Sequence, residues 1–248
     1  METLKVEELS KNFGGIQALL KVSFSLGRGE KVALIGPNGS GKTTLINLLG
    51  GQLPATAGKI FLFGKEITNM SEYRRLDLGL ARSFQLNNLF LNLTVLDNVL
   101  LALQGAQHIH FEMFSSDSSL RNLLAEAQEL LQARAFWERR HEPIKIFSYG
   151  EQRQMEVLLS LASKPKILLL DEPTAGLSIA ETADLVNIIN NLQEDTGVLI
   201  CTHDMDMALN LADRIIVLSY GKLIAQGTPE QIRRDSKVRE VYLGTKNA

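Results

Sequence analysis

The sequence predicts an α/β fold: a mostly parallel sheet with helices on both faces, and an α-helical block inserted within it. Three observations carry this. Val32-Ala33-Leu34-Ile35 and Ile167-Leu168-Leu169-Leu170 are short, continuous apolar runs, the pattern of strands buried on both faces. Strand-like and helix-like segments alternate in the last third of the chain, as parallel sheets covered by helices require. The middle, residues 89–162, carries Leu and Ala at helical spacing.

The elements follow in order. Leu4, Val6 and Leu9, then Val22, Phe24 and Leu26, show the near period-two spacing of strands, with turns at Gly14-Gly15 and at Gly27 to Gly29. The run Val32 to Ile35 stops at Gly36. Thr43 to Leu49 reads as a helix that Gly50-Gly51 can end, and Lys59 to Phe63 as a further strand. Leu93 to Leu103 and Leu120 to Arg134 are expected helices, the second with Leu123, Leu124, Ala127, Leu130 and Leu131 on a stripe that reads as helical core. Beyond Ile167 to Leu170, a helix is expected over Ala183 to Leu192, with Leu185, Ile188, Ile189 and Leu192 on one face. Val198 to Cys201 and Ile215 to Leu218 complete the strands. Trp137 and the cluster Arg134 to Arg140 read as a solvated helix end.

The chain has 248 residues, a formal charge of −2, 45% hydrophobic and 22% charged residues. This is ordinary globular composition, so disorder is excluded as a description of the whole. Near-neutral charge also argues against a dominant electrostatic affinity for nucleic acid. Cys201 is the single cysteine. It allows no intrachain disulfide, suits a reducing compartment, and within an apolar strand reads as a small hydrophobe. The first residues carry Glu2, Lys5, Glu7 and Glu8 rather than the apolar segment of a secretory signal. No apolar run approaches the ~20 residues of a membrane span. The expectation is a soluble, cytoplasmic protein.

Gly36-Pro37-Asn38-Gly39-Ser40-Gly41-Lys42-Thr43-Thr44 fits the P-loop pattern, Gly-x4-Gly-Lys-Ser/Thr, between a buried strand and a helix. Glycines let backbone N–H groups close around phosphates, and the helix N-terminus favours the anion. Lys42 would reach the β- and γ-phosphates, and the Thr43 hydroxyl would hold Mg²⁺. The fixed positions arise by chance in only about 1% of chains of this length. Asp171 and Glu172 end the second buried run, at the carboxyl edge where open α/β sheets bind ligands. Asp171 would bind Mg²⁺ directly or through water, leaving Glu172 to polarise the attacking water. His203 follows a strand and could contact a γ-phosphate and orient that water. Gln85 could coordinate Mg²⁺ or water.

Ser148-Tyr149-Gly150-Glu151-Gln152 precedes a further helix, Arg153 to Ala162, and stands just before the Asp171-Glu172 strand. This order resembles the ATP-binding subunits of ABC transporters, a P-loop NTPase family, over essentially the whole chain, and the resemblance implies a mostly parallel sheet core, an antiparallel β region and an inserted α-helical subdomain. By that resemblance, Phe13 sits at the adenine-stacking aromatic, Gln85 at the Q-loop, and Ser148, Gly150 and Gln152 in the nucleotide-binding signature. Phe13 has a second reading, as a core aromatic beside the first strand. Two positions depart from the common pattern: Tyr149 replaces the first glycine of Ser-Gly-Gly, and Ser178 stands where many members have Asp. Both look like the ATPases of branched-chain amino acid and amide importers. Thr94 to Val99, Gly227 to Ile232 and Val241-Tyr242-Leu243-Gly244 lean the same way.

The resemblance implies a nucleotide-binding core over residues 1–85 and 163–228, a helical signature subdomain over 86–162, and a C-terminal extension over 229–248. It implies a head-to-tail pair of ATP-binding chains, each ATP lying between one P-loop and the other chain's Ser148 and Gly150. It also implies permease subunits that dock on the helical block, and indirectly a solute-binding protein. The apolar density of Leu86, Leu89, Phe90, Leu91 and Leu93 makes Leu86 to Val99 the candidate contact strip, with packing inside the helical block as the other reading for about half of those side chains. The chain would then sit at the inner face of the membrane through its partners. A soluble ABC-type ATPase acting on nucleic acid or ribosomes, an exporter ATPase, and a small-molecule kinase are the alternatives.

Overall fold

The computed structural model describes residues 2–83, 89–106, 117–132 and 136–243. The chain opens with β1 (Glu2–Phe13) and β2 (Ile16–Gly27), then β3 (Lys31–Ile35) and α1 (Lys42–Gly50). Next come β4 (Ala57–Leu62), β5 (Lys65–Glu66), α2 (Glu72–Asp77) and β6 (Leu80–Arg82). The middle holds α3 (Val95–Ala106), α4 (Asp117–Gln132), a 3₁₀ turn at Ile144–Ile146, and α5 (Tyr149–Leu161). The remainder is β7 (Ile167–Asp171), α6 (Ile179–Asn190), β8 (Gly197–Cys201), α7 (Met205–Leu211), β9 (Arg214–Ser219), β10 (Lys222–Gly227), α8 (Pro229–Arg234) and α9 (Ser236–Leu243).

These elements fall into two compact units. The first comprises residues 1–82, 166–173 and 192–248 and holds both sheets. One sheet is antiparallel in the order β2-β1-β4-β5; the other runs β10-β9-β3-β8-β7-β6, parallel except for the β10–β9 pair. The expected mixture of a mostly parallel core and an antiparallel region is what forms. The unbroken apolar run of β3 is explained by its two faces. Val32 and Leu34 join the core that contains Leu45, Leu49, Leu169 and Leu218, while Ala33 and Ile35 join a second core with Ala208, Ile215, Val217, Ile232 and Val238. Each such buried Leu, Ile or Val contributes about 1.5–3 kcal/mol.

Helix α1 is fixed at both ends by backbone that other residues cannot supply. At Gly41 φ is +103°, and a Cβ there would meet the Ala18 carbonyl at 2.7 Å and Leu19 Cδ2 at 2.8 Å. At the far end Gly51, at φ +87°, turns its N–H onto the carbonyls of Asn47 and Leu48. Arg75 completes this end. Its Nη1 donates to Leu48 O and Leu49 O, both at 2.7 Å, while Nη2 and Nε reach Thr68 O and Met70 O at 2.9 Å. The side chain is 1% exposed, and burial lowers its pKa to about 10, so it stays charged at neutral pH. A cation there also complements the negative end of the helix dipole.

The second unit comprises residues 83–165 and 174–191. Its interior includes Val95, Val99 and Leu103 from α3, Leu123, Ala127 and Leu131 from α4, and Met155 and Leu158 from α5, each at one-turn spacing along its helix. The stripe on α4 is therefore core, as its periodicity suggests. Four expectations change. Helix α5 starts at Tyr149 rather than Arg153, because Ser148 and Glu151 cap it reciprocally. The cluster read as a solvated helix end forms turns over its described residues, 134 and 135 lying outside them, and its side chains are partnered: Arg139 pairs with Glu142 and Glu151 and lies 3.9 Å from the Phe147 ring centroid, and Arg140 stacks on Trp137 at 4.4 Å. Helix α6 starts at Ile179 rather than Ala183, because Ser178 and Glu181 cap it reciprocally, and it ends before Leu192. Finally, residues 174–191 group with the helical unit instead of the sheet core. Helix α6 packs on α5, and Glu181 ties the two helix starts together.

Candidate functional site

In the first unit, a cleft of about 600 Å³ opens over the P-loop. Asn38, Gly39, Ser40, Gly41, Lys42, Thr43 and Thr44 all line it, with Glu172 and His203. The loop wraps because Gly39 (φ +77°) and Gly41 adopt left-handed backbone. Lys42 is 7% exposed, and its Nζ donates to Gly36 O at 2.7 Å and Pro37 O at 3.3 Å. The lysine thus braces its own loop and puts a buried positive charge beside the first turn of α1. Thr43 is exposed on that turn. Backbone N–H groups of a helix start, a lysine and hydroxyls make a receptor for a polyphosphate.

Asp171 and Glu172 leave β7 in different directions. Asp171 is fully buried, and its Oδ2 accepts from Arg82 Nη2 at 3.1 Å. Arg82 is held in turn by Asn47 Oδ1 at 2.6 Å and by Gln52 Oε1. Cys201 lies beside Asp171 in the parallel β7–β8 pair, and burial, followed by the charges of Asp171 and Glu172, pushes its thiol well up. It keeps its proton, as a small hydrophobe should. At Glu172 the backbone turns left-handed, φ +45°, while its N–H donates to Cys201 O at 2.8 Å. Such a conformation costs a non-glycine residue roughly 1–2 kcal/mol and recurs at functional sites. The turn brings the carboxylate to His203, whose Nδ1 is 2.7 Å from Glu172 Oε2. The Glu172 side chain is 19% exposed and that of His203 63%, so the pair faces the cleft.

Phe13 ends β1 and is 45% exposed, which removes its core reading. It does not line the cleft; the Lys11 ammonium lies 5.1 Å from its ring centroid. Ile16 and Tyr220, both highly exposed, line the cleft instead. Gln85 and Leu86 lie outside the described residues. Two residues assigned no part in the site from the sequence lie beside it. Arg82 secures Asp171, and Tyr242 of α9 buries its hydroxyl beside the Gly36 backbone and the Glu172 charge, its pKa pushed up to about 12 mainly by burial. Arg82 carries no local signal, whereas Tyr242 lies in the Val241 to Gly244 segment already marked by resemblance.

The second unit carries the signature residues. Ser148 caps α5: its Oγ accepts from the Glu151 N–H at 3.2 Å, and Glu151 Oε2 accepts from the Ser148 N–H at 2.8 Å. Gly150 is buried. Tyr149 is 45% exposed with its ring over Gly176, where an added Cβ would sit 3.2 Å from Cε1. The Gln152 amide is spent on the turn before the helix, donating to Phe147 O at 2.9 Å. In the expected contact strip Leu89 is buried, while Phe90, Leu91 and Leu93 are exposed. A groove of about 240 Å³ between α3 and α5 is lined by Leu89, Phe90, Leu101, Ala102 and Leu159.

The ABC transporter family profile matches residues 19–175, and a branched-chain amino acid ATP-binding cassette transporter profile matches residues 222–247. The high-affinity branched-chain amino acid transport ATP-binding protein LivG of Escherichia coli is 36% identical over 97% of each chain. BraF of Pseudomonas aeruginosa, with the same description, is 35% identical over 97% of each. The lipopolysaccharide export system ATP-binding protein LptB of Escherichia coli is 34% identical over 98% of each. Among solved structures, an ATP-binding cassette of an ABC transporter in its ADP conformation superposes with TM-score 0.86 at 30% identity, covering 98% of this chain and 99% of that one. A dimeric cassette in a post-hydrolysis state with ADP and Pi gives TM-score 0.75 at 26% identity, over 91% and 98%.

Proposed function

The chain belongs to the ABC transporter family, and on that premise we propose that it powers an importer of branched-chain amino acids. It is an ATP-binding, ATP-hydrolysing subunit of the kind that works with a second ATPase chain and membrane components. LptB is nearly as similar as LivG, so the ATPase body itself carries no direction. Support for import comes from the match of residues 222–247 to the branched-chain amino acid profile.

The observation that carries the reaction is the Glu172–His203 contact beside the P-loop cleft. The P-loop amides and Lys42 would hold the phosphates of ATP. Glu172 would take a proton from the water that attacks the γ-phosphorus, as the bond to the ADP oxygen breaks. His203 would orient Glu172 and that water. Among the described residues no cluster of His, Cys, Asp and Glu could hold a metal ion alone. Mg²⁺ retains water and phosphate ligands and needs few hard oxygens from protein. Thr43 would offer a hydroxyl and Asp171, already held by Arg82, a carboxylate reached through water. Bound there, the ion would offset the negative charge of the phosphates.

Ser148 and Gly150 would face the nucleotide of a second chain, head to tail, and Phe13, exposed at the end of β1 outside the lining of the cleft, would stack on an adenine that projects from it. Among the described residues no helix is long and apolar enough to cross a membrane. The exposed side chains Phe90, Leu91 and Leu93 and the neighbouring groove suit permease subunits docked from the membrane side. A solute-binding protein would act through those permeases, with this chain at the cytoplasmic face. The test is Glu172→Gln in the full chain. It should bind Mg-ATP like the parent, while phosphate release without any acceptor falls about 10²–10⁴-fold. Unimpaired turnover removes Glu172 as the base. Co-purification of the parent with two permeases and an amino-acid-binding protein tests the importer assignment.

A further inference from the structure

One carboxylate in the second unit serves two helix starts. Glu181 is the third residue of α6, and its Oε2 closes the capping box, accepting from the Ser178 N–H at 2.9 Å and the Ser178 hydroxyl at 2.8 Å. A capping box needs only one carboxylate oxygen. The other, Oε1, reaches the start of α5, where the Ser148 hydroxyl donates to it at 3.4 Å. Gly150 makes room: a Cβ there would stand 2.1 Å from Glu181 Oε1. Donors from Ser178 first, then from Ser148 and Gly150, hold this carboxyl below the usual carboxylate range. The donors that Oε1 takes are those assigned to the partner's γ-phosphate.

We propose that Glu181 is a positioning residue that occupies the signature's anion site in place of the γ-phosphate and gives it up when the phosphate of a second chain's ATP arrives. The inference rests on the proposed head-to-tail pairing. Two anions cannot share the Ser148 hydroxyl and the Gly150 N–H without strong repulsion, so phosphate entry requires Oε1 to leave. Oε2 stays bound to Ser178. Occupancy of the signature is therefore passed to the loop that begins α6 through a single side chain. In the nucleotide-free chain the same contact keeps two helix starts from presenting unmatched positive ends.

The test is Glu181→Gln in the Glu172→Gln chain, with sedimentation measured against ATP concentration. Glutamine keeps the capping geometry and removes the competing charge. The ATP concentration at half-dimerisation should fall about threefold or more, in line with one charge at a helix start. An unchanged or raised midpoint overturns the proposal. If the Glu172→Gln parent itself stays monomeric at saturating ATP, the self-pairing assumed above fails, and amide exchange in the monomer decides the role of Glu181. Faster exchange of the Gly150 N–H in Glu181→Gln supports it; unchanged exchange overturns it.

Discussion

The P-loop and the signature both present the start of a helix, yet they are built in opposite ways. The P-loop is wrapped by left-handed glycines and braced from within by Lys42, whose ammonium sits on the Gly36 and Pro37 carbonyls. Its helix is stopped by Gly51 and by the buried Arg75. The signature has no such cage. Its helix start is capped by one exposed serine, and its donors are already shared with the carboxylate of Glu181. A preorganised cage can bind nucleotide by itself. An exposed, self-satisfied helix start can act only when something with more charge displaces what it holds. On the roles proposed above, binding and switching belong to separate units of one chain.

Two substitutions can break this contrast. Lys42→Ala removes the charge that braces the cage, and ATP affinity of the single chain should fall about 10–100-fold, the usual cost of losing charged hydrogen bonds. Titration calorimetry reads it directly; retained affinity would mean that the loop amides suffice. Gly150→Ala acts on the other side. Its Cβ would collide with Glu181 Oε1 and stand where phosphate must approach. Single-chain ATP affinity should be unchanged while steady-state turnover drops about tenfold, because the Cβ keeps the phosphate from the Gly150 N–H and weakens one charge-assisted hydrogen bond. A fall in single-chain affinity would instead mean that the two units are not separable in function.

The same contrast governs what the sequence made legible. Where chemistry is local, residue types give it away: the P-loop glycines, the strand that ends in Asp171-Glu172, and the turn glycines could each be read in place. Where it depends on residues far apart, nothing local marks it. Arg82 meets Asp171 across 89 positions, and Arg75 meets Leu48 and Leu49 across 27 and 26. The left-handed turn at Glu172, which aims the carboxylate at His203, has no glycine to announce it. The start of α6 was legible, since Ser178 and Glu181 form the Ser-x-x-Glu pattern, but the apolar stripe from Leu185 drew the boundary too late. The second bond of Glu181, to Ser148 across 33 positions, could only come from the fold.

The finest test separates the two duties of Ser148. Its hydroxyl accepts the Glu151 N–H and donates to Glu181, so Ser148→Ala would confound loss of the cap with loss of a phosphate donor. Ala at this position costs ~1 kcal/mol of helix stability, whereas Gly costs only a few tenths. Ser148→Gly therefore leaves α5 capped in energetic terms and deletes the hydroxyl alone. The thermal midpoint should move by less than about 2 °C for a chain of this size. Turnover should still fall about tenfold, because one hydrogen bond to a charged phosphate is worth about 1.5–3 kcal/mol. Equal turnover in Ser148→Gly and the parent would show that Ser148 serves the helix and that the Gly150 N–H alone meets the phosphate. The signature would then be a backbone site like the P-loop, and the difference between the two regions would lie only in what holds them shut.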